Sequence, residues 1–338
     1  MMTGDKNKPE TTGRTDSAGK PDDRSSSSPD NTSGPEQVRT RDGSMTLYSH
    51  HYGQHYHNLA GAWTESRHVF FEQTGLLRAI AGHRNVTVFE TGYGSGFHLL
   101  LLELFRRSAK SRSNIYYAGV EKYPVSGDMF RSMQPGKIAA DLYESAGTSP
   151  SVADENADLA NEELADAIAG FNDRQCRAET GSVISVTLSG DPPDSARSGT
   201  PPPEQAGTDR IHTGSTTATV YRGDFSDLKS LSSMISVNRF DFFLHDAFSP
   251  AANPDLWTTE VFSKLLDSAS DRAMLGTYCS ATKARAAMVL AGWHVARAAG
   301  PPGKREMTLA SPSEEALSGF KRVNEQRLRD RFQKELTS

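Results

Sequence analysis

The chain has 338 residues, a net charge of −5 and a sequence pI of about 6.1, so a strongly basic nucleic-acid-binding protein is not the expected class. Its two cysteines, Cys176 and Cys279, exclude a disulfide framework and a cysteine-rich metal site, and they fit a reducing compartment. The N-terminus lacks an apolar signal segment, and no run of about 18 apolar residues occurs. We therefore expect a cytoplasmic protein that makes no membrane contact.

The composition changes near residue 44. Residues 1–43 are rich in Ser, Thr, Asp, Lys, Gly and Pro, and so few apolar groups cannot offset the entropy lost on ordering. We predict a disordered tail there, followed by one domain over residues 44–312. The four histidines between residues 50 and 57 lack a matching set of carboxylates or cysteines, so we expect no metal site.

Residues Val86 to Gly96 predict a strand, a glycine-rich turn and the start of a helix. The strand is Val86 to Phe89, and the apolar helix covers Leu99 to Phe105. Glycine permits positive φ and lets a ligand approach the backbone, while the first turn of a helix offers unpaired N–H groups. The expected cofactor-binding residues of this unit are Glu90, Gly92, Tyr93, Gly94 and Gly96.

Two acidic residues follow later strands of the predicted sheet. Glu121 ends the strand Ile115 to Val120, at the position where a carboxylate binds the hydroxyls of a ribose. Asp224 follows a further strand and is expected to accept from an adenine amino group, with Phe225 against the ring. Capping of the next helix by Asp224 is an equally good interpretation, and both roles are compatible.

The remaining pattern predicts an α/β sheet. Ser182 to Leu188 and Thr216 to Arg222 alternate like a hairpin whose tip, residues 190–214, is a flexible loop. Alternating strands and helices predict a mostly parallel, doubly wound, Rossmann-like sheet of seven strands with helices on both faces. The loop around Pro301 makes the last strand antiparallel, and residues 313–338 are predicted to form a charged helix.

Asp246 directly follows the central strand Asp241 to His245, and the chain then turns sharply through Ala-Phe-Ser-Pro. This turn resembles the D-P-P-Y-type turn of amine-directed methyltransferases, which predicts that Asp246 is catalytic. Capping of the loop by Asp246 is the structural alternative. The expected substrate-binding residues are Phe248, Pro250 and Trp257 around a flat base, and Lys304 and Arg305 at a phosphate.

The order of acid and glycines separates two classes of cofactor. Nicotinamide-binding domains usually carry G-x-G-x-x-G, whereas this chain has E-x-G-x-G-x-G from Glu90. Together with Glu121 and the antiparallel last strand, this pattern is typical of S-adenosylmethionine (SAM) methyltransferases. We therefore expect SAM as the cofactor.

A more specific resemblance extends over about residues 46–310. The chain closely resembles the methyltransferase part of the tRNA 5-methylaminomethyl-2-thiouridine biosynthesis enzymes, the MnmC/MnmD family. The matching blocks are His57-x-x-x-Gly61-Ala62, Glu65-Ser-Arg-His-Val-Phe70, Glu90-Thr-Gly-Tyr-Gly-Ser-Gly96, Asp246-Ala-Phe-Ser-Pro-Ala-Ala-Asn-Pro-Asp-Leu-Trp257 and Gly300-Pro-Pro-Gly-Lys-Arg-Glu-Met307. One departure is His98, where the family usually has Asn.

This resemblance implies methylation of the aminomethyl nitrogen on the tRNA wobble uridine, with Asp246 facing the amine. The segment after Ala310 is too short for the flavin-dependent oxidase domain of the fused enzymes, so we expect separate enzymes to install the aminomethyl group. Two alternatives stay open from the residues: a SAM-type methyl- or aminopropyltransferase for another amine, and a non-catalytic tRNA-binding subunit.

Overall fold

The computed structural model describes residues 34–135, 155–189, 214–231, 234 and 239–336. Residues 1–33 and nearly all of the predicted hairpin-tip loop lie outside the described residues. Within the described part of the chain, no helix is both long and apolar enough to cross a membrane.

Strands and helices alternate along the described chain. The strands are β1 Glu36–Arg39, β2 Met45–Ser49, β3 Gln54–His55, β4 Val86–Thr91, β5 Ile115–Glu121, β6 Val183–Ser189, β7 Ser215–Arg222, β8 Phe240–His245, β9 Ala269–Thr277, β10 His294–Ala299, β11 Glu306–Ser311 and β12 Lys321–Arg322. The α-helices are α1 Ala62–Ser66, α2 Leu76–Ala81, α3 Phe97–Ser108, α4 Gly127–Ser132, α5 Glu155–Arg177, α6 Thr259–Asp267, α7 Thr282–Leu290 and α8 Glu325–Leu336. A π-helical segment, Arg67–Glu72, continues α1.

The main sheet, as far as it is described, has nine strands in the order β12-β10-β11-β9-β8-β4-β5-β7-β6. Its centre is parallel: β4 pairs with β5 and β8, β5 with β7, and β8 with β9. Both flanks are antiparallel, because β11 runs between β9 and β10 and β6 returns along β7. The predicted α/β fold with an antiparallel last strand is therefore confirmed, and β6 pairs with β7 as the predicted hairpin. The described sheet has nine strands where seven were predicted, and β12 was not predicted.

Alternating side chains of the central strands fill two apolar cores, one on each face of the sheet. On β4, Val88 packs into the core that contains Phe171, whereas Phe89 packs into the core that contains Phe262 and Trp293. A strand covered on both faces needs a continuous apolar run, which explains the composition of β4. This burial fixes the carboxyl ends of β4, β5 and β8 side by side.

The predicted tail is too long at its C-terminal end. Residues 36–39 form β1, which pairs antiparallel with β2 in a separate three-stranded sheet, β1-β2-β3. Asp42, also inside the predicted tail, accepts hydrogen bonds from Thr40, Ser44 and Thr64. The ordering of residues 34–43 comes from this pairing with later residues, which composition alone does not reveal.

The C-terminal segment also differs from the predicted single helix over residues 313–338. A 3-10 turn at Glu315–Leu317 and the short strand β12 come first, and helix α8 begins only at Glu325. Strand β12 pairs with β10, where Arg322 lies opposite Ala296. Edge pairing therefore replaces the first half of the expected helix.

Candidate functional site

A cleft of about 320 Å³ opens at the carboxyl ends of β4, β5 and β8, where ligands of open α/β sheets bind. The small N-terminal sheet with the residues next to it and the segment after β8 both contribute side chains to its lining. The lining residues fall within 49–57, 90–98, 120–123, 223–225, 246–248 and 252–256.

The glycine turn after β4 contributes Gly92, Tyr93 and Gly94 to the described lining of the cleft, whereas Gly96 is outside that lining and packs close to Tyr93. All three glycines, at positions 92, 94 and 96, have positive φ, and the N–H of Gly94 donates to the Glu121 carboxylate over 2.7 Å. A Cβ added at Gly94 would lie 3.3 Å from the Tyr56 ring, so the backbone runs close beneath that side chain. The Tyr93 hydroxyl donates to Asn172 over 2.8 Å, which anchors the turn to helix α5.

Glu121 ends β5 inside the cleft. Its two carboxylate oxygens accept from the N–H groups of Gly94 and Tyr123, each over 2.7 Å. Burial raises the pKa of Glu121 to about 7, although the two backbone hydrogen bonds act in the opposite direction. Because each oxygen keeps a lone pair, the carboxylate can still accept from a pair of ribose hydroxyls.

Asp224 and Phe225 line the cleft beyond β7. One Asp224 oxygen accepts from the N–H of Ser226 and caps the 3-10 turn Phe225–Asp227, and the other accepts from Lys122 over 2.8 Å. The capping role of Asp224 is thus present in the structure. Its adenine-binding role stays a prediction, as does that of Phe225, whose ring is almost fully buried.

Asp246 leaves β8 and faces the glycine turn. Its side chain is 11% exposed, and its Oδ2 atom lies 4.0 Å from His98 Nδ1. Burial raises the pKa of Asp246 well above the usual range, and the nearby Glu90 and Glu65 raise it further, while Lys304 lowers it. The structure therefore places a buried carboxyl group with a raised pKa beside the glycine turn.

Glu90 and His98 form a buried pair below Asp246. His98 Nδ1 lies 2.5 Å from Glu90 Oε1, its Nε2 lies 2.9 Å from Ser66 Oγ, and the Tyr117 hydroxyl donates to Glu90. Burial raises the pKa of Glu90 and lowers the pKa of His98 to about 3. The pair is therefore net neutral. The sequence assigned no role to either partner: Ser66 lies within the matching block Glu65 to Phe70, and Tyr117 lies within a predicted strand.

His57, His98 and Asp246 bring possible metal-ligating atoms within 4.8 Å of one another. His57 Nδ1 is already 3.1 Å from Thr46 Oγ1, and both nitrogens of His98 have hydrogen-bonding partners. These contacts compete with coordination, so we assign no metal to the cluster. The absence of a metal stays a prediction.

An aromatic wall stands across the mouth of the cleft. The ring of Phe248 stacks on Tyr52 with centroids 4.3 Å apart, and Tyr56 contacts it edge-on at 5.1 Å. Gln54 and Ser249 join the two segments through a 2.7 Å hydrogen bond. Phe248 was predicted from the sequence; Tyr52 and Tyr56 were not, because only the fold brings residues 52–56 to this loop.

Trp257 and Pro250 stand behind this wall. Trp257 is 5% exposed, its Nε1 donates to the backbone oxygen of Phe248 over 2.8 Å, and its ring packs edge-on against His245. The described lining of the cleft includes neither residue. The indole thus supports the backbone of Phe248, and direct contact of Trp257 or Pro250 with substrate stays a prediction.

Lys304 and Arg305 lie in the loop between β10 and β11. Lys304 Nζ is 2.7 Å from Glu65 Oε1 and 4.2 Å from the centroid of the Tyr278 ring. Arg305 is exposed. Lys304 is paired with a carboxylate and Arg305 is exposed, and the phosphate-binding role of both residues stays a prediction.

Sequence comparisons point to one group of proteins. A family model described as S-adenosyl-L-methionine-dependent methyltransferase matches residues 200–313. The tRNA 5-methylaminomethyl-2-thiouridine biosynthesis bifunctional protein MnmC of Burkholderia vietnamiensis is 30% identical over 263 residues, which are 78% of this chain and 33% of that protein. MnmC of Stutzerimonas stutzeri is 28% identical over 264 residues, covering 77% of this chain and 32% of the relative. The resemblance to MnmC is confirmed.

The structural comparison agrees with this resemblance in fold. The crystal structure of MNMC2 from Aquifex aeolicus superposes with a TM-score of 0.53 at 21% identity, covering 83% of this chain and 71% of that one. This likeness confirms the methyltransferase fold, and the description of the family model names the cofactor expected from the sequence. The chain spans about a third of the length of the curated MnmC relatives that it matches.

Proposed function

We propose that this protein transfers a methyl group from SAM to the nitrogen of the 5-aminomethyl group on the wobble (2-thio)uridine of tRNA. The product is 5-methylaminomethyl-(2-thio)uridine. The observation that carries the proposal is the contact between the cofactor turn and the Asp246 loop: a Cβ on Gly92 would lie 3.5 Å from the Asp246 backbone oxygen. One cleft thus holds both the glycine turn and a carboxyl group suited to an amine.

The residues of the cleft fit SAM. In this proposal Gly92 and Gly94 line the cofactor site, Glu121 would accept from the ribose hydroxyls, and Asp224 and Phe225 would face the base; all five residues line the cleft. When bound, SAM supplies an electrophilic methyl group. The protein contributes alignment of the acceptor nitrogen with that methyl group, which is the main catalytic requirement of an in-line displacement.

The acceptor must be a neutral amine, because only a free lone pair can form the new N–C bond. A primary alkylamine has a pKa of about 10, like that of Lys, so it arrives protonated. We assign Asp246 to orient the ammonium group and to accept its proton. A single unpaired charge is costly in this buried site. The Asp246 carboxylate and the substrate ammonium therefore stabilise each other until the proton passes to the carboxylate.

The substrate assignment draws on the names of the relatives, which act in tRNA 5-methylaminomethyl-2-thiouridine biosynthesis. The stacked rings of Tyr52 and Phe248 give a flat surface for a splayed-out base, the usual way in which single-stranded RNA is read. The proposal therefore includes tRNA as partner, a cytoplasmic location, and separate enzymes that install the aminomethyl group.

Incubation with labelled SAM and hypomodified tRNA tests this function. We expect label in the wobble nucleoside with the wild-type protein and no turnover with Asp246→Asn, while calorimetry shows that SAM binding survives. Asp227→Asn, which changes an exposed acid outside the cleft lining, is the matched control and should retain full activity.

Two results would redirect the assignment. Label on polyamines but not on tRNA would favour a transferase for another amine, which the names of the relatives do not support. Absence of SAM binding would favour a non-catalytic tRNA-binding subunit.

A further inference from the structure

Lys304 is joined to the Asp246 loop by a continuous set of contacts. Its Nζ atom lies 2.7 Å from Glu65 Oε1 and 4.2 Å from the centroid of the Tyr278 ring. The Tyr278 hydroxyl in turn donates over 2.7 Å to the backbone oxygen of Ala247, the residue after Asp246. The ammonium group is thus fixed on two sides next to the catalytic loop.

Glu65 is itself firmly held. Its side chain is 7% exposed, and its second oxygen accepts from the N–H of Asn58 over 2.8 Å. Lys304 keeps 32% of its side chain exposed, so the pair sits at the boundary between the site and solvent. Such a fixed, partly buried cation acts on neighbouring charges more strongly than a surface lysine.

Three neighbouring side chains act on the pKa of Asp246, and not all in the same direction. Glu90 on β4 and Glu65 on α1 both disfavour a carboxylate at Asp246, and both raise its pKa; Lys304 acts in the opposite direction. Among these three described side chains, Lys304 is therefore the one that favours the carboxylate form of Asp246.

The other titratable groups near Asp246 are neutral at physiological pH. Burial lowers the pKa of His57 and of His98 to about 3, and burial together with the Asp246 charge raises the pKa of Tyr278. None of these three side chains supplies a positive charge to offset the carboxyl groups.

We propose that Lys304 is a positioning residue for methyl transfer: its ammonium group, fixed by Glu65 and Tyr278 beside the Asp246 loop, favours the carboxylate form of Asp246, which accepts the amine proton. The inference rests on the proposed function of Asp246. It replaces the phosphate-binding role that the sequence predicts for Lys304 with an electrostatic one.

The pH dependence of kcat/KM for methyl transfer to hypomodified tRNA, measured at saturating SAM so that ionisation of Glu121 does not limit the rate, tests the proposal, because its acidic limb then reports protonation of Asp246. We expect Lys304→Met to move that limb up by about one pH unit. Glu65→Gln, which keeps an acceptor for Asn58, should move it down. The double variant removes both charges and should return the limb close to its wild-type position.

Lys321→Met provides the charge-matched control, since Lys321 is exposed on β12, four strands away from β8 in the sheet. It should leave the pH profile unchanged. A phosphate-binding role for Lys304 gives a different pattern: KM for tRNA rises at every pH, its dependence on salt weakens, and the acidic limb stays in place. That pattern would overturn the inference.

A titration that requires no methyl transfer tests this inference independently of the proposed function. In protein labelled with ¹³C-aspartate, the carboxyl signal that disappears in Asp246→Asn is titrated in wild type, Lys304→Met and Glu65→Gln. If the wild type methylates no tRNA, the proposed function fails, yet this titration still decides on Lys304. If Asp246 titrates at the same pH in Lys304→Met as in the wild type, the inference is refuted. If Lys304→Met does not fold, an Asp246 titration that is unchanged in Glu65→Gln refutes it instead.

Discussion

Gly96 is the position where a single added methyl group should be most informative. Its φ is 87°, and a Cβ there would lie 2.3 Å from the Tyr93 hydroxyl oxygen and 2.8 Å from Tyr93 Cζ. A left-handed conformation costs a non-glycine residue roughly 1–2 kcal/mol. In Gly96→Ala the Tyr93 ring must also move, which breaks its buried hydrogen bond to Asn172 at a cost of roughly 1–3 kcal/mol.

The two effects together predict that Gly96→Ala lowers the free energy of unfolding by roughly 2–5 kcal/mol. Urea unfolding followed by circular dichroism measures this loss. Gly170→Ala is the matched control: an added Cβ there meets no atom within 4 Å, and replacing a glycine inside α5 should stabilise the protein by roughly 0.5–1 kcal/mol.

The double variant with Tyr93→Phe isolates the clash. Removing the hydroxyl takes away the nearest atom to the new Cβ, so Gly96→Ala should cost less in the Tyr93→Phe background than in the wild type. Equal costs in both backgrounds, or a loss below about 1 kcal/mol in the single variant, would refute the steric reasoning.

Two further predictions concern the cleft. Because the pKa of Glu121 is about 7 and its carboxylate is the form that accepts from ribose hydroxyls, SAM affinity measured by calorimetry should rise as the pH increases from 6 to 8. Glu121→Gln should weaken binding roughly tenfold and remove this pH dependence; a persisting slope would assign it to another group. Trp257→Phe removes the hydrogen bond to the Phe248 backbone, so kcat should fall while SAM affinity is retained. An unchanged kcat with a raised KM for tRNA would instead favour the direct base contact that the sequence predicts.

The sequence located the acidic residues of the site best, because each of them lies at the end of a recognisable strand. Glu90, Glu121 and Asp246 each stand at the end of an apolar run, and parallel pairing of those runs brings the three acids to one edge of the sheet. The mostly parallel character of the sheet followed from the alternation of strands and helices.

Contacts between residues far apart in the sequence could not be predicted from local sequence patterns. Lys304 and Glu65 are 239 positions apart, and nothing local to either residue indicates the other. The sequence also could not show that Trp257 supports the Phe248 backbone, because only the folded loop brings Trp257, His245 and Phe248 together. Likewise, β1 is ordered by β2 even though its composition matches a disordered tail.

The position of β4 in the middle of the sheet has a consequence for synthesis of the chain. One edge of β4 pairs with β5 shortly after both leave the ribosome, but its other edge pairs with β8, where Phe89 lies opposite Phe243, more than 150 residues later. At roughly 5–20 residues per second, that edge stays unpaired for roughly 8 to 30 seconds. The nascent chain thus exposes an apolar strand edge, the kind of surface that recruits chaperones or other unfinished chains, until the loop that carries Asp246 is made.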